Sequence, residues 1–442
     1  MQLVQQILFI IVSGVAIYLF AKKLGEIRRN ILLGRDEDLT DNPSQRWKNM
    51  TLLALGQQKM FKRPVPAILH LFVYAGFIII NIEILEIILD GILGQHRLFA
   101  PLIGGLYGFL IGCFEILAAL VLIGCAIFLI RRNITKVPRL VKGELSAGWP
   151  KSDANIILIT EIILMGLFLS MDTADLVLQS RGIEHYTQTD AFWITSNFTG
   201  MFDGLSTSTL VAIERGGWWL HIIGVLAFMN YLPYSKHFHI LVAFPNAYYM
   251  RIKPQGEMMN MQAIQNEVLY MMEPDKAPTD AAPAEPQSFG AKDVFDLSWK
   301  NLMDAYACTE CGRCSAMCPA NQTGKKLSPR KIMMDTRDRL EEVGANINKN
   351  KEFVDDGKKL IHDYISAEEL RACTTCQACV EACPVSIDPL NIIYQLRRYL
   401  IMEESNSPEE WNLMFSNVEN NMAPWKFSPD DRDKWVEELA EA

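Results

Sequence analysis

Two short stretches decide the fold of the C-terminal half of this 442-residue chain: CTECGRCSAMCP at residues 308–319 and CTTCQACVEACP at residues 373–384. Each places four cysteines at the spacing C-x2-C-x2-C-x3-C and follows the last one with proline. This spacing is typical of proteins that bind two [4Fe–4S] clusters, in which three closely spaced thiolates hold one cluster and the fourth cysteine reaches the other. The pattern therefore predicts two crossed ligand sets: Cys308, Cys311, Cys314 and Cys383 for one cluster, and Cys373, Cys376, Cys379 and Cys318 for the second.

Only two of the ten cysteines, Cys113 and Cys125, lie outside these stretches. Disulfide frameworks do not space cysteines in this way, so the pattern indicates thiolate ligands in a reducing compartment. Zinc is the alternative metal, but zinc sites rarely use three cysteines at this pitch. The net charge of −9 argues against nucleic acid as a partner.

The residues around the two cysteine stretches carry helix-start signals. Ser328–Pro329 is an N-cap followed by proline at the first helical position, and it predicts an amphipathic helix that continues to about residue 343. Ser366 with Glu369 forms a capping box, and Asp388–Pro389 predicts another helix. We therefore expect residues 296–400 to form an all-helical two-cluster ferredoxin domain rather than the compact ferredoxin fold.

Toward the N-terminus the sequence becomes strongly apolar. A helix needs about 20 apolar residues to cross the hydrocarbon core of a bilayer, and five stretches qualify. The predicted spans are 3–21, 66–90, 103–130, 154–178 and 217–240. The first span resembles a signal peptide, but no basic segment precedes it and no cleavage-like site follows. We therefore predict an all-α protein in which residues 1–245 form a five-helix transmembrane domain.

Lysine and arginine are unevenly distributed among the segments that connect these spans. Residues 22–66 hold ten and residues 131–153 hold six, whereas residues 91–102 hold one and residues 179–216 hold two. The positive-inside rule then places the N-terminus outside and the cluster domain in the cytoplasm of a bacterial or archaeal inner membrane. Trp218 and Trp219 are predicted to open the fifth span at the outer interface.

Histidines within the spans are candidate functional residues, because a polar side chain inside a bilayer is costly without a partner. His70 lies one turn into the second span, His221 just inside the tryptophan pair, and His239 at the inner end of the fifth span. In a continuous helix, His221 and His239 would share one face about 27 Å apart, and His237 would point away by about 160°. Pro233 lies between them and is expected to kink the helix.

Depth in the membrane suggests how these histidines pair. His70 and His239 both lie near the inner side, so one bis-histidine haem b is predicted between them; whether His237 takes the place of His239 stays open. His221 faces the second span near Ile80, where no histidine is available. It would either hold a second haem with a weak or missing sixth ligand or donate a hydrogen bond to a quinone carbonyl. In the alternative interpretation, these histidines only form hydrogen bonds within the bundle.

Carboxylates within the spans have two equally good interpretations, as proton-relay residues for a quinone or as protonated structural residues. They are Glu83, Glu86, Glu115 and Glu161, and none is assigned a role. Asp90, at the outer end of the second span, is a candidate quinone-site or proton-exit residue.

Two segments complete the domain organisation. Residues 246–295 combine an amphipathic segment with a Pro/Ala-rich linker at 274–289. Residues 401–442 are acidic and contain Trp411, Trp425 and Trp435. We expect this tail to dock on a partner or, as an alternative, to pack on the chain's own cluster domain.

The membrane half resembles the gamma subunit of respiratory nitrate reductase, a five-helix cytochrome b. The resemblance rests on His70, His221, Pro233, Ser235, Lys236 and His239. It implies that His70 and His239 are the inner haem ligands. The family's second histidine on helix two is absent, since Ile80 stands at about its place.

The whole arrangement is similar to the membrane and iron–sulfur subunits of heterodisulfide reductase joined in one chain. It is also similar to membrane proteins of dissimilatory sulfite metabolism and to quinone reductases fed by electron-transfer flavoprotein. Those relatives act with a domain rich in Cys-Cys-Gly motifs, but this sequence has no adjacent cysteine pair and no dinucleotide fingerprint. The resemblance therefore implies a cytoplasmic partner, either a Cys-Cys-Gly-type iron–sulfur subunit or a flavoprotein subunit.

The predicted function is electron transfer between that partner and membrane menaquinone or ubiquinone, through two [4Fe–4S] clusters and haem b. The chain would have no substrate site of its own other than the quinone site. One alternative is a haem-free ferredoxin tethered to the membrane. Another is an ion-translocating subunit that uses the intramembrane glutamates, which is less favoured because no inverted repeat or broken helix pair is found.

Overall fold

The structure, a computed structural model, describes residues 2–189, 192–278, 288–426 and 428–441. The described residues are helical and form no strand beyond two isolated bridges, Arg35 with Ser298 and Ile361 with Ile365. The predicted all-α fold is confirmed. Helices of eight or more residues are α1 (Gln2–Ile31), α2 (Pro64–Leu93), α3 (Gly105–Asn133), α4 (Gly148–Ser180), α5 (Thr207–Tyr231), α6 (His239–Tyr248), α7 (Gln262–Met272), α8 (Trp299–Ala307), α9 (Pro329–Asn350), α10 (Pro389–Met402), α11 (Glu409–Asn421) and α12 (Lys434–Glu441).

Shorter helical turns connect these elements. Short α-helices are Pro43–Asn49, Phe99–Ile103, Pro138–Val141, Arg313–Met317, Pro319–Gln322, Ala367–Arg371 and Ala378–Ala382. Turns of 3-10 helix are Gln58–Lys62, Gly143–Leu145, Thr195–Met201, Leu232–Tyr234, Lys236–Phe238, Pro274–Lys276, Val294–Asp296 and Pro429–Asp431. Met50–Leu55 and Leu360–Tyr364 have π-helical hydrogen bonding.

Helices α1 to α5 are long and apolar enough to cross a membrane, which confirms five spans. In the bundle, α3 packs between α2 and α4, α4 packs on α5, and α1 contacts both α2 and α5. Small residues allow the closest approaches. A side chain on Gly91 would collide with the ring of Phe9 at 2.7 Å, and one on Gly76 would lie 2.4 Å from Val121.

The fifth span differs from the prediction, which made it one helix over residues 217–240. Helix α5 begins at Thr207 and ends at Tyr231, and two 3-10 turns separate it from α6. Pro233 cannot donate a helical hydrogen bond, and the Ser235 hydroxyl accepts one from the His237 backbone N–H at 2.9 Å and so starts a new turn. The expected shared helix face of His221 and His239 is therefore wrong.

Trp218 and Trp219 do not open helix α5, because this helix begins at Thr207. Trp218 is buried, and its ring centre lies 5.6 Å from that of Phe9 on α1. The position of the two rings at the outer interface stays a prediction. His221 lies near the middle of α5.

The cluster domain is built on α8, α9 and α10, whose inward side chains form one core with Leu302, Ile332 and Ile393 fully buried. The predicted helix starts are confirmed. The Ser328 hydroxyl caps α9, Ser366 and Glu369 form the capping box, and the Asp388 carboxylate accepts the Asn391 N–H at 3.0 Å. The helix after Ser328 continues to Asn350, beyond the predicted end.

This domain packs against one end of the bundle, here called the proximal end and formed by residues 30–63, 131–147 and 235–250. Asn30 of α1 donates to the Tyr306 hydroxyl at 3.1 Å, and Asn246 of α6 donates to the Val385 carbonyl at 2.9 Å. The opposite end, formed by residues 94–104, 181–189 and 192–206, is called the distal end.

The linker is described only in part, and the start of the tail contacts the cluster domain through the pairs Arg371–Asn406 and His362–Glu404. Residues 279–287 of the predicted linker lie outside the described residues, and α7 before it buries none of its side chains. In the tail, Trp411, Trp425 and Trp435 are 38%, 53% and 60% exposed. Docking of these rings on a partner, or packing of the tail on the cluster domain, stays a prediction.

Candidate functional site

The first predicted ligand set borders one cavity of about 20 Å³ in the cluster domain. The cavity is lined by Cys308, Cys311, Cys314 and Cys383, with Cys379 at its edge. The loop that carries the first three cysteines turns at Gly312, whose φ is 70°. A side chain there would lie 2.8 Å from the Arg139 backbone carbonyl, so the available space favours glycine, whereas Gln377 has a similar φ of 65° at the same place in the second stretch.

The buried environment of these thiols fits a role as ligands of a cationic iron–sulfur cluster. Burial raises the pKa of Cys383 to about 12, and the neighbouring Cys311 raises it further. Burial likewise raises the pKa of Cys308 to about 12. A bound metal centre deprotonates coordinating thiols and balances their charge. Among the described residues, no group of three or more His, Cys, Asp or Glu side chains lies close enough together to hold a single metal ion.

The second predicted set lies nearer the surface of the domain. Burial raises the pKa of Cys373 and of Cys379, and the charge of Cys318 adds to the rise for both, which reflects the proximity of these three thiols. Cys376 is exposed, and the Cys373 sulfur accepts the Thr375 N–H at 3.4 Å. The fold therefore places the fourth cysteine of each stretch beside the first three of the other stretch.

At the proximal end of the bundle, His70 of α2 and His239 of α6 face each other with ring centres 6.3 Å apart. Two imidazoles on opposite sides of one metal, each with its nitrogen about 2 Å away, have ring centres about 6 Å apart. The Nδ1 of His70 pairs with Gln57 Oε1 at 3.0 Å, and that of His239 pairs with the Lys236 carbonyl at 3.0 Å. Such anchoring of Nδ1 is usual for metal-binding histidines and leaves Nε2 for the metal. The pair therefore fits a bis-histidine haem iron.

His237 was expected to point away from His239, and this expectation is wrong. The two rings stack with centres 5.7 Å apart, because residues 236–238 form a 3-10 turn rather than part of a continuous α-helix. Within the described residues, the buried Nδ1 of His237 has no hydrogen-bond partner. His237 packs on Phe77 and Phe228 and lacks the anchor that His70 and His239 have.

A buried ion pair joins the histidine loop to the first cysteine stretch. Lys236 Nζ donates to the Glu310 carboxylate at 2.5 Å, and Glu310 stands between Cys308 and Cys311 in sequence. Arg337 donates to the other Glu310 oxygen at 2.7 Å. Burial would raise the pKa of Glu310, but the charges of Arg337 and Lys236 outweigh it and hold the pKa below its usual value. The first cysteine cavity and the histidine pair are therefore neighbours.

A second cavity of about 70 Å³ lies between α2, α3, α4 and α5. Toward the histidine pair it is lined by Val73, Phe77 and Phe228, and deeper in the bundle by Glu161 and His221. The Nδ1 of His221 pairs with the Leu164 carbonyl at 3.0 Å, so its Nε2 remains for a ligand. Ile80 lines the cavity on α2, and no histidine stands opposite His221 among the described residues of its lining.

Three residues of these sites were not found from the sequence: Gln57, Lys236 as an ion-pair partner, and Glu310. Gln57 has φ 49° in a turn between short helices, and no periodicity predicts its contact with His70. The sequence offers only two local hints of these contacts. Glu310 stands between two predicted ligand cysteines, and Lys236 stands next to a histidine. His362 lies on the surface and pairs with Glu404 at 2.8 Å. His96 is nearly buried, with a side chain that is 9% exposed and lies 3.7 Å from Asp175.

Comparison with known proteins supports the iron–sulfur assignment. A family model described as a 4Fe-4S dicluster domain matches residues 300–387. The chain is 28% identical to the Probable iron-sulfur-binding oxidoreductase FadF of Bacillus subtilis over 99% of its own length and 61% of the relative. It is 27% identical to the EtfAB:quinone oxidoreductase of Syntrophomonas wolfei over 96% of its length and 56% of the relative. A Probable membrane-anchored ferredoxin of Chromohalobacter salexigens is 31% identical over 34% of this chain and 24% of that protein.

The chain thus spans about three-fifths of the length of the first two relatives. No solved structure matches it significantly. The homologues are iron–sulfur oxidoreductases, which confirms the iron–sulfur part of the predicted resemblance, and the dicluster domain supports [4Fe–4S] binding. The haem b and the identity of the partners stay predictions.

Proposed function

We propose that the chain transfers electrons between a redox partner at the cluster domain and a quinone in the membrane bundle. The observation that carries this proposal is the pair His70 and His239, whose ring centres lie 6.3 Å apart. The loop that holds His239 is joined to the first cysteine stretch by the ion pair between Lys236 and Glu310. Carriers placed in this order would connect the aqueous side to the interior of the bundle.

The proposed ligands are those that the sequence predicted. One [4Fe–4S] cluster would be held by Cys308, Cys311, Cys314 and Cys383, a second by Cys373, Cys376, Cys379 and Cys318, and a haem b by His70 and His239. When bound, these groups supply one-electron transfer, and the protein fixes their order and surroundings. Lys236 and Glu310 would hold the histidine loop against the first cluster loop. His239 is preferred to His237 because its Nδ1 is anchored.

The cavity at His221 and Glu161 is the proposed site of menaquinone or ubiquinone. Because Nδ1 of His221 donates to the Leu164 carbonyl, its Nε2 would accept a hydrogen bond from a quinol hydroxyl, and the Glu161 carboxyl group would exchange a proton with the quinone. A second haem at His221 is less favoured, because the opposite wall carries Ile80 in place of a ligand. The name of the relative EtfAB:quinone oxidoreductase is consistent with a quinone as the membrane partner.

The orientation and the aqueous partner follow from charge and exposure. The segments rich in lysine and arginine lie at the proximal end, so we place this end and the cluster domain in the cytoplasm and the N-terminus outside. The exposed Cys376 makes the second cluster the entry or exit point for a partner. A Cys-Cys-Gly-type iron–sulfur subunit or a flavoprotein subunit is proposed as that partner.

Spectroscopy of the purified full chain tests the proposal. A reduced-minus-oxidised spectrum should show b-type haem bands, and His70→Ala should abolish the low-spin haem signal while the iron–sulfur signals persist. His362→Ala is the matched control, since this surface histidine should leave both signals intact. Iron–sulfur signals without any b-type bands in the parent would instead support the haem-free ferredoxin tether.

A further inference from the structure

Buried carboxylates continue from the His221 cavity toward the distal end of the bundle. On α2, Ile80 lines the cavity, and Glu83, Glu86 and Asp90 follow at spacings of three or four residues, so all four lie on one helix face. The stripe is buried, with exposures of 4% for Glu83, 3% for Glu86 and 7% for Asp90. It extends over about 15 Å along the helix.

Helix α4 carries a matching stripe. Glu161 and Met165 line the cavity, and Asp172 and Asp175 follow on the same face toward the distal end. Both aspartates bind the buried Arg97, whose side chain donates to Asp172 at 2.8 Å and to Asp175 at 2.7 Å. The backbone N–H of Arg97 donates to Asp90 of α2 at 2.8 Å, so the two stripes meet around this arginine.

Hydrogen bonds join the distal parts of the two stripes. Arg97 also donates to the Tyr107 hydroxyl at 3.1 Å, and that hydroxyl donates to Glu86 at 2.9 Å. Asp175 lies 3.7 Å from His96, whose ring centre is 5.4 Å from that of the exposed His185. The network therefore reaches the surface of the distal end.

Two carboxylate oxygens nearer the cavity are left without partners. Among the described residues, Glu83 Oε2 and Asp172 Oδ2 are buried and make no hydrogen bond. Each lies one helical turn nearer the cavity than a hydrogen-bonded neighbour, Glu86 or Asp175 respectively. One arginine cannot neutralise this many carboxylates, and a buried carboxylate without a counter-ion is held as the neutral acid. Such a group can give and take a proton.

Glu115 shows what a structural carboxylate looks like at a similar depth. Its two oxygens accept the Ile194 N–H at 2.9 Å, the Thr195 N–H at 3.2 Å and the Thr195 hydroxyl, which ties the distal loop to α3. Among the described residues, Glu83 makes no hydrogen bonds of this kind, so a structural role does not explain why a carboxylate is buried at this position.

We propose that Glu83 passes protons between the His221 cavity and the distal end, through the network of Asp172, Asp175 and His96. The proposal rests on the proposed quinone function and names the side on which its protons are exchanged. When a quinol is oxidised, it gives up two electrons and two protons. The electrons leave through the cluster domain at the proximal end, whereas the protons leave at the distal end. Turnover would then separate charge across the membrane.

The test uses the purified full chain in sealed vesicles that contain a menaquinol analogue and a trapped pH dye. Ferricyanide, which does not cross the membrane, is added outside, so only molecules with an outward cluster domain turn over. Each quinol reduces two ferricyanide ions, and the parent should release the two protons into the interior. Vesicles without protein measure the direct reaction.

In Glu83→Gln, interior acidification and quinol oxidation should both fall by roughly a hundredfold, as for loss of a proton-transfer residue. Glu83→Asp should recover much of the loss, and Glu184→Gln, at an exposed carboxylate of the distal end, should match the parent. Iron–sulfur absorbance checks that each variant is folded.

Interior acidification at the parental rate in Glu83→Gln would overturn the proposal, and so would ferricyanide reduction by the parent without interior acidification. If the parent reduced no ferricyanide with quinol, the quinone function itself would fail, and this proton path with it.

Discussion

Replacing Glu310 by glutamine should strongly destabilise the junction between the cluster domain and the bundle. The Glu310 carboxylate is 3% exposed and accepts from two cations, Lys236 at 2.5 Å and Arg337 at 2.7 Å. At an effective dielectric constant of about 20, unit charges 2.5 Å apart attract by roughly 7 kcal/mol, much of which offsets the cost of burying them. Removing the shared anion leaves Lys236 with Asp153 at 3.8 Å and Arg337 with Asp338 at 3.7 Å as their remaining ion pairs, and should cost about 3 kcal/mol.

Heating the purified protein while following its iron–sulfur absorbance measures this loss. For a domain of about 100 residues, 3 kcal/mol corresponds to a fall in the midpoint of roughly 10 °C or more. Lys236→Met should cost less, because Glu310 then keeps Arg337. Lys326→Met is the matched control, since its ion pair with Glu368 is exposed and should contribute nothing measurable. Equal midpoints for Glu310→Gln and Lys326→Met would refute the reasoning.

Three further predictions concern the ligands and the cluster domain. Cys383→Ser should lose the first cluster and Cys318→Ser the second, each with about four iron atoms fewer per chain, and electron paramagnetic resonance should show that the surviving cluster differs between the two variants. Gln57→Leu removes the partner of His70 Nδ1 and should weaken haem retention about 10- to 100-fold, measured by haem loss to a scavenger; retention equal to the parent would contradict this anchor role. Burial raises the pKa of Asp335 to about 6, so the folded state is stabilised by protonation and loses stability as pH rises from about 4 to about 6. Asp335→Asn should therefore gain up to about 2 kcal/mol at pH 8 and almost nothing at pH 4, and an equal effect at both values would exclude the explanation.

The signals that succeeded from sequence were local ones. Helix starts at Ser328, Ser366 and Asp388 depend on hydrogen bonds to residues three positions away, and the structure has each of them. The five spans depend on the length of an apolar run, which the bilayer thickness fixes. Both kinds of signal can be read without knowing what the segment packs against.

The wrong predictions concern the fifth span, where the apolar pattern of one long helix competes with residues that end a helix. Pro233 was recognised as a kink, but its effect is a full break, because Ser235 caps a new turn directly after it. Because of that break, the rings of His237 and His239 stack on each other, and His221 and His239 do not share one helix face. Because α5 begins at Thr207 and not at residue 217, His221 lies near the middle of that helix and not near its start.

By itself, the sequence determined the all-helical class, the five apolar spans and the two cysteine stretches, since these depend on spacing along the chain. Only the tertiary structure decided that Gln57 anchors His70 and that Lys236 binds Glu310, 74 positions away. It alone revealed that Arg97 binds Asp172 and Asp175 of α4 and connects through Tyr107 to Glu86 of α2. The physical reason is that such contacts form between side chains whose separation in sequence is arbitrary, so no periodicity encodes them.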